Sequence, residues 1–192
     1  MIASNDTRDQ ILDQAQELVQ TLGYDGFSFA DVASRVGLRK ASIHHHFPTK
    51  ADLAVHLVAR FRRDCSDRLA EVDPGADPGV RLDRFVGLFR DTLALGRMCL
   101  CGVLASGFVG LPEPVRAEVL AALGEMEAWL ARAIADGRAL GLFRPSGSPE
   151  QQARSFLGGL EGGMLLARVH GDPARFEESA RGLLDALRAP AS

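Results

Sequence analysis

The side chains best suited to chemistry lie between residues 39 and 50, where cations and hydrogen-bond donors cluster: Arg39, Lys40, Ser42, His44, His45 and Lys50. The chain has only two lysines, both in this stretch, and no Asp or Glu occurs between Val32 and Ala51. Lysine and arginine neutralise phosphate charge, and arginine can also bind the edge of a guanine with two hydrogen bonds. This local concentration of positive charge predicts binding to double-stranded DNA.

Helices must position these side chains, because β-branched residues are sparse and Ala, Leu, Arg and Glu dominate the chain. Apolar residues recur at helical spacing throughout, which predicts an all-α fold of about nine helices. Their approximate spans are Thr7–Leu22, Ser28–Val36, Arg39–His46, Lys50–Val72, Val80–Leu95, Cys99–Gly110, Pro112–Leu140, Pro149–His170 and Pro173–Arg188.

Local signals join the second and third helices into a helix-turn-helix. Gly37 can adopt the positive φ that ends a helix in a sharp turn. Ser28 stands three residues before Asp31, and Thr49 stands three residues before Asp52, which is the spacing of a capping box. The segment 73–79, with the sequence DPGADPG, is predicted to be a flexible break.

Bulk composition limits the class of protein. The 192 residues carry a net charge of −3, so nucleic-acid binding must be confined to a local surface. The polar start, MIASNDTRDQ, and the odd count of three cysteines predict a protein of the reducing cytoplasm with no membrane segment. No phosphate loop, nucleophile elbow or metal-ligand spacing occurs, so we predict neither an enzyme nor a cofactor. Adjacent helical residues point about 100° apart, so the three consecutive histidines cannot converge on one metal ion.

The stretch from about Thr7 to Leu57 resembles the N-terminal DNA-binding domain of the tetracycline-repressor (TetR) family. The matching residues are Ser28, Val32-Ala33, Gly37-Leu38-Arg39, the run Lys40-Ala41-Ser42-Ile43-His44-His45-His46-Phe47, and Thr49-Lys50. Two positions depart from the family pattern, since Arg39 replaces a small residue and His44 replaces a tyrosine. The resemblance implies a DNA-binding domain over residues 1–50, a linking helix over about 50–72, and a helical effector-binding and dimerisation domain over 51–192.

Roles in DNA binding follow from the positions. The first turn of the third helix, Arg39 to Ser42 with Lys40 and Ala41 between them, can reach base edges in the major groove. Phosphate oxygens are the predicted partners of Ser28, Lys40, His44, His45 and Lys50. Arg39 either contacts a base or is simply solvated, and His44 would make phosphate binding sensitive to pH. Ile43 and Phe47 are predicted to lock the third helix into the core.

The C-terminal half carries candidate effector and dimer residues, because the family uses this half for both purposes. Predicted effector-binding residues are Phe85, Leu88, Phe89, Phe108, Met126 and Trp129. Helix-interior glycines cost about 1 kcal/mol each, so the two glycine pairs of the eighth helix should allow a close helix–helix approach. The predicted dimer residues are Phe156, Gly159, Leu160, Gly163, Leu184 and Leu187. The alternative for both sets is ordinary packing within one chain.

Cys99 is a candidate redox sensor, since a helix N-terminus and the nearby Arg97 both favour the thiolate. The sequence Arg97-Met98-Cys99-Leu100 resembles an Arg-Gly-Cys-Leu segment of a TetR subgroup that includes regulators of electrophile and oxidant defence. The leading hypothesis is a repressor that binds a palindromic operator as a homodimer and is released by a small, partly apolar effector. The alternatives are a sensor acting through Cys99 or Cys101, transcriptional activation, and a helical interaction module without DNA binding.

Overall fold

The computed structural model describes residues 4–72 and 75–189, with side chains from residue 6 onward. Within these ranges the chain forms α-helices, one short 3-10 helix after α6, and a single isolated antiparallel bridge between Phe143 and Arg188. The helices are α1 Ser4–Leu22, α2 Phe29–Val36, α3 Lys40–His46, α4 Lys50–Ala70, α5 Pro78–Ala94, α6 Leu100–Ser106, α7 Glu113–Ala139, α8 Pro149–His170 and α9 Ala174–Leu187.

The predicted all-α fold is confirmed over the described residues, and two predicted boundaries are wrong. The sixth helix does not continue to Gly110, because it ends at Ser106 and a 3-10 helix, Phe108–Gly110, follows Gly107. The predicted break at residues 73–79 ends at Asp77 rather than at Gly79. Pro78 begins α5, since proline fits the first turn of a helix and the Asp77 carboxylate accepts a hydrogen bond from Gly79 N at 2.8 Å. Residues 73 and 74 of that break lie outside the described ranges.

The described residues divide into two compact units. The first unit lies within Met1–Arg63 and Cys99–Ala122, and the second within Asp64–Met98 and Leu123–Ser192. Within the first unit, α6 packs against α1. The predicted division into a DNA-binding domain over residues 1–50 and a second domain over residues 51–192 stays a prediction. Helices α4 and α7 each contribute residues to both units.

Apolar side chains from α1, α3, α4 and α6 form the core of the first unit. Ile11 on α1, Ile43 on α3, Leu57 on α4 and Leu100 on α6 are all buried, as is Phe47 at the end of α3. Burial of Ile43 and Phe47 confirms that both residues hold α3 in the core. The short α3 therefore depends on tertiary packing, since an isolated helix of this length is not stable in water.

Contacts between α5, α8 and α9 hold the second unit together. Phe156, Leu160 and Met164 recur at helical spacing on the buried face of α8. On α9, Phe176 and Leu187 are buried. The guanidinium of Arg90 on α5 binds the Glu177 carboxylate on α9 with two hydrogen bonds, of 2.7 and 2.9 Å. No helix in the described ranges is long and apolar enough to cross a membrane.

Candidate nucleic-acid interface

The turn between α2 and α3 is built around Gly37. This residue has φ 74° and ψ 29°, a left-handed conformation that favours glycine, and its N–H donates to the carbonyl of Ala33. The Leu38 N–H donates to the same carbonyl at 2.9 Å, which completes the helix C-cap. Arg39 then caps α3 in an extended conformation, so that Lys40 begins the helix. The turn thereby places Arg39 and Lys40 at the N-terminal end of α3.

Arg39 and Lys40 are exposed, and neither side chain has a hydrogen bond or ion pair within the described residues. Ala41 is also exposed, and Ser42 is half-buried on the same first turn. Other arginines of the first unit do form ion pairs. Arg35 lies 2.6 Å from a Glu17 carboxylate oxygen, and Arg60 lies 2.9 Å from an Asp13 oxygen. Arg39 and Lys40 are therefore the cations of α3 that remain available for an anionic partner.

Ser28 precedes α2 and interacts with Asp31 as the capping spacing predicts. The backbone N–H and the hydroxyl of Ser28 each donate to Asp31 Oδ2, both at 2.7 Å. These two hydrogen bonds, with that of the side chain contributing most, lower the pKa of the Asp31 carboxyl. The Ser28 hydroxyl proton is thus already used in this structure, and its predicted contact with phosphate requires the hydroxyl to rotate away from Asp31.

The histidines of α3 have different surroundings. His44 and His45 are exposed, whereas His46 is half-buried. The His44 ring packs edge-on against Phe29 of α2, with 4.8 Å between ring centroids, and its Nδ1 lies 3.2 Å from the carbonyl oxygen of Pro48. The His45 and His46 rings are 5.5 Å apart. His44 therefore combines packing between α2 and α3 with an exposed position.

Lys50, the first residue of α4, points back to the turn between α1 and α2. Its Nζ donates to the carbonyl oxygen of Phe27 at 2.6 Å. The same Nζ lies 4.3 Å from the centroid of the Phe27 ring and 4.7 Å from that of Tyr24. Burial lowers the pKa of Lys50, while Asp25 and Asp31 oppose that effect. The predicted phosphate contact of Lys50 stays a prediction, since this ammonium group already has partners within the chain.

Arg8 is a cation of this unit that the sequence did not single out. Its guanidinium carbon lies 5.1 Å from the centroid of the Phe47 ring, at the C-terminal end of α3. Arg8 and Phe47 are far apart in sequence, so no local pattern signals their contact. The structure thus adds one half-buried cation near the histidines of α3.

The predicted effector-binding residues are divided between the two units. Phe85, Phe89 and Trp129 form one aromatic cluster in the second unit, with Phe176 as a fourth member. Phe85 stacks on Trp129 at 5.6 Å and Phe89 stacks on Phe176 at 6.4 Å, measured between ring centroids. Leu88 and Met126 are buried in the same unit. Phe108, by contrast, belongs to the first unit and lies in the 3-10 helix.

A separate cavity in the second unit has a volume of about 500 Å³. It lies where the start of α5 approaches the segment after α7 and the end of α9. Its lining residues include Val80, Asp83, Leu142, Phe143 and Arg188. None of the predicted effector-binding residues lines this cavity.

Cys99 is the N-cap of α6, as the sequence predicts, and its exposed fraction is 5%. Cys101 is fully buried at 0%. Both are thiols, and so is Cys65 of α4. Access to Cys99 by an electrophile therefore requires local opening of the structure, and its sensing role stays a prediction.

Two of the predicted dimer residues of α8, Gly159 and Gly163, face α9 of the same chain. A Cβ added at Gly159 would lie 2.7 Å from a methyl carbon of Leu183, and one added at Gly163 would lie 3.0 Å from Cβ of Ser179. Phe156, Leu160 and Leu187 are buried, and Leu184 is half-buried. The glycines at these two positions thus permit close packing of α8 on α9.

A different face of α8 is open. No atom lies within 4 Å of a Cβ added at Gly158 or Gly162. Leu165, Leu166 and Val169, which follow at helical spacing, are exposed. These five residues, which we call the open face of α8, form an apolar stripe on the surface of the chain.

Comparison with protein families gives matches over both halves of the chain. Residues 11–57 match the model described as bacterial regulatory proteins, tetR family. Residues 78–183 match the model described as tetracyclin repressor-like, C-terminal domain.

Individual relatives agree with these matches. The crystal structure of a TetR-family transcriptional regulator from Agrobacterium tumefaciens is 36% identical, with a TM-score of 0.92, and the alignment covers 96% of this chain and 99% of that one. The transcriptional regulator AcuR of Cereibacter sphaeroides is 26% identical over 77% of this chain and 69% of its own length. The negative transcriptional regulator IcaR of Staphylococcus aureus is 39% identical over 46 residues, which are 24% of this chain and 25% of IcaR.

Proposed function

Because the chain belongs to the TetR family of transcriptional regulators, which are not enzymes, we propose that it is a cytoplasmic, ligand-responsive repressor. In this proposal it binds a palindromic operator as a homodimer. A small, partly apolar effector then releases it from the DNA.

The observation that carries the DNA-binding part is the exposed first turn of α3. Arg39 and Lys40 lie there without a hydrogen bond or ion pair to any described residue, while Glu17 and Asp13 pair with other arginines of the same unit. An uncommitted cation can bind phosphate without first breaking an ion pair within the protein. We propose that Arg39, with Ala41 and Ser42, contacts base edges. Lys40, His44, His45 and, after rotation of its hydroxyl, Ser28 contact the phosphate backbone.

The open face of α8 supports homodimerisation. Gly158 and Gly162 would let a second helix approach closely, and Leu165, Leu166 and Val169 would supply apolar area. This face replaces Gly159 and Gly163 in the proposed interface, because those two glycines already contact α9. A two-fold arrangement would present two copies of the helix-turn-helix, each of which we call a DNA-binding head, to the two halves of a palindrome.

The aromatic cluster of Phe85, Phe89, Trp129 and Phe176 supports an apolar effector site in the second unit. Arg81 lies 5.7 Å from the Trp129 ring centroid and forms an ion pair of 2.5 Å with Asp136. A ligand that separates the stacked rings would therefore change both the packing and the charge environment of Trp129. Such a ligand releases DNA only if it binds the DNA-bound and DNA-free conformations of the dimer with unequal affinity. We propose that α4 transmits the change from the effector site to the helix-turn-helix.

Selection of duplexes from genomic DNA by the purified protein tests the DNA-binding part. We expect recovery of a palindromic sequence bound specifically, with an affinity that falls steeply as salt concentration rises. Lys40→Ala should weaken binding to every sequence, whereas Arg132→Ala, which removes an exposed cation from α7 in the second unit, should leave binding unchanged. Recovery of no duplex would overturn the proposal in favour of an interaction module.

Fluorescence of Trp129, the only tryptophan of the chain, tests the effector part. A panel of small apolar compounds is titrated first against the protein alone and then against its complex with the selected duplex. We expect an effector to alter Trp129 emission and to release DNA over the same concentration range. Phe85→Ala should weaken both effects together, because Phe85 stacks directly on Trp129.

A further inference from the structure

The ammonium group of Lys50, a half-buried residue, contacts other parts of its own chain. One N–H donates to the Phe27 carbonyl oxygen at 2.6 Å, and the Phe27 and Tyr24 rings lie 4.3 and 4.7 Å away. Both rings are at distances where the negative face of an aromatic ring attracts a cation. Lys40, the other lysine of the chain, is exposed and has no such partners in the part of the chain that the structure describes.

The contacts of Lys50 join two points that flank the helix-turn-helix. Lys50 is the first residue of α4, directly after α3 and its capping segment. Phe27 directly precedes Ser28, the N-cap of α2. A bond between these points closes a loop of 22 intervening residues, 28 to 49, that contains both α2 and α3.

Charges near Lys50 disfavour a phosphate at the same place. Asp25 and Asp31 are the acidic groups that interact electrostatically with its ammonium. These carboxylates already balance part of the positive charge of Lys50, which weakens its attraction for a phosphate.

We infer that Lys50 is a positioning residue, which fixes the start of α2 relative to α4 and thereby orients α3 for DNA without itself contacting phosphate. This inference rests on the proposed DNA-binding function. It attributes the contribution of Lys50 to DNA affinity to the orientation of α3 within the DNA-binding head. Lys40 supplies charge to the DNA backbone, and Lys50 does not.

The test compares Lys50→Met with Lys40→Met by measuring affinity for the selected duplex across a range of salt concentrations. Each phosphate contact contributes about 0.9 to the slope of log affinity against log salt concentration. Lys40→Met should therefore reduce the slope by about 0.9 per head. Lys50→Met should leave the slope at its wild-type value and weaken binding by roughly tenfold, the effect of about 1.4 kcal/mol. Measurements at a temperature where circular dichroism shows both variants fully folded separate positioning from a general loss of stability.

Hydrogen exchange of the free protein gives a readout that does not require DNA. In Lys50→Met, the amides in the first turn of α2 should exchange faster, and those of α8 should be unchanged. Tyr24→Leu should produce a similar change, and the double variant should show less than the sum of the two, since both changes remove parts of one cluster.

Two results would overturn the inference. One is a reduction of the salt slope by Lys50→Met equal to that of Lys40→Met, which would make Lys50 a phosphate ligand. The other is wild-type affinity together with wild-type exchange in the folded variant, which would leave Lys50 without a positioning role. If the wild-type protein binds no duplex, the proposed function fails, and the exchange measurement alone decides whether Lys50 orders the start of α2.

Discussion

Residues of the same type do different work in this protein because their surroundings differ. Arg39 and Lys40 are exposed and have no hydrogen bond or ion pair to any described residue, whereas Arg35 and Arg60 form ion pairs and Lys50 contacts a carbonyl and two rings. A count of positive charge along the sequence would treat all five of these residues as equal. The energetic cost of transferring each one to a phosphate is unequal, because only the paired cations must lose an existing contact.

Replacement of Arg39 by alanine should relax sequence preference more than it weakens non-specific binding. A bidentate contact with a base contributes about 1–3 kcal/mol of discrimination, so we expect tolerance of all bases at one position in each half of the operator. Selection from a randomised operator measures this directly. Lys40→Ala is the matched comparison, and it should keep the wild-type base preference at every position. An unchanged preference in Arg39→Ala would assign Arg39 to solvent.

Cys65 should react slowly in mild alkali. Burial raises the pKa of Cys65 to about 12, so its thiol stays protonated at pH values where an ordinary thiol ionises. At pH 8 the thiolate fraction of Cys65 is roughly a thousandfold below that of an ordinary cysteine, because the two pKa values differ by about three units. Its alkylation rate should be lower by the same factor, since only the thiolate reacts. Alkylation between pH 7 and 10, followed by mass spectrometry of the Cys65 peptide, should show a rate that rises without reaching a plateau. The denatured protein is the control, in which the rate should have its midpoint at about pH 8.5 and level off toward about pH 10.

The residues around the helix-turn-helix show what a sequence pattern can and cannot predict. Burial of Ile43 and Phe47 and the positive φ of Gly37 follow from local spacing, and the structure agrees. The contact between Lys50 and Phe27 has no local signal, since it joins residues 23 apart. The packing of Arg8 on Phe47 has none for the same reason.

At the scale of helices, small residues decide where two elements approach closely. The two glycine pairs of α8 predict a close contact, and the pattern alone does not say with which helix. Adjacent residues of a helix point about 100° apart, so one glycine of each pair faces α9 and the other faces outward. The Cβ positions at Gly159 and Gly163 are blocked by Leu183 and Ser179 respectively, while those at Gly158 and Gly162 are open.

Two glycines of α7 allow a matched test of this effect. A Cβ at Gly137 would lie 2.1 Å from a ring carbon of Phe143, whereas one at Gly124 would have no neighbour within 4 Å. Gly137→Ala should therefore destabilise the protein by about 1–3 kcal/mol, since the buried Phe143 ring must move. Gly124→Ala should stabilise it by about 0.5–1 kcal/mol through its higher helix propensity. Urea unfolding gives both values, and shifts of the same sign would contradict the role of the Gly137 contact.

At the scale of the whole molecule, a chain with a net charge of −3 must bind DNA through a small surface and gain affinity by other means. Dimerisation is the proposed means, because two linked heads that bind one palindrome act at a high effective concentration. In this proposal the open face of α8 is the surface that the second copy of the chain covers. A mutation in the second unit should then change DNA binding without touching the head.

Leu166→Glu tests this link between assembly and DNA binding. Leu166 is 57% exposed in the single chain, so the substitution should not disturb folding, and helical content should stay at the wild-type level. In a dimer built on the open face, the new carboxylate would be buried without a partner, at a cost of roughly 3 kcal/mol or more. The dimer dissociation constant, measured by sedimentation equilibrium, should therefore rise by more than about a hundredfold.

The matched control for this substitution is Leu140→Glu, because Leu140 is also an exposed leucine, at 67%, and lies just after the end of α7. It should leave both assembly and operator affinity unchanged. For Leu166→Glu, operator affinity should fall at protein concentrations below the new dimer dissociation constant and recover above it, since mass action restores the dimer. Recovery at high concentration separates a loss of assembly from damage to the head. A Leu166→Glu protein that remains a dimer at all concentrations would move the interface to another surface of the chain.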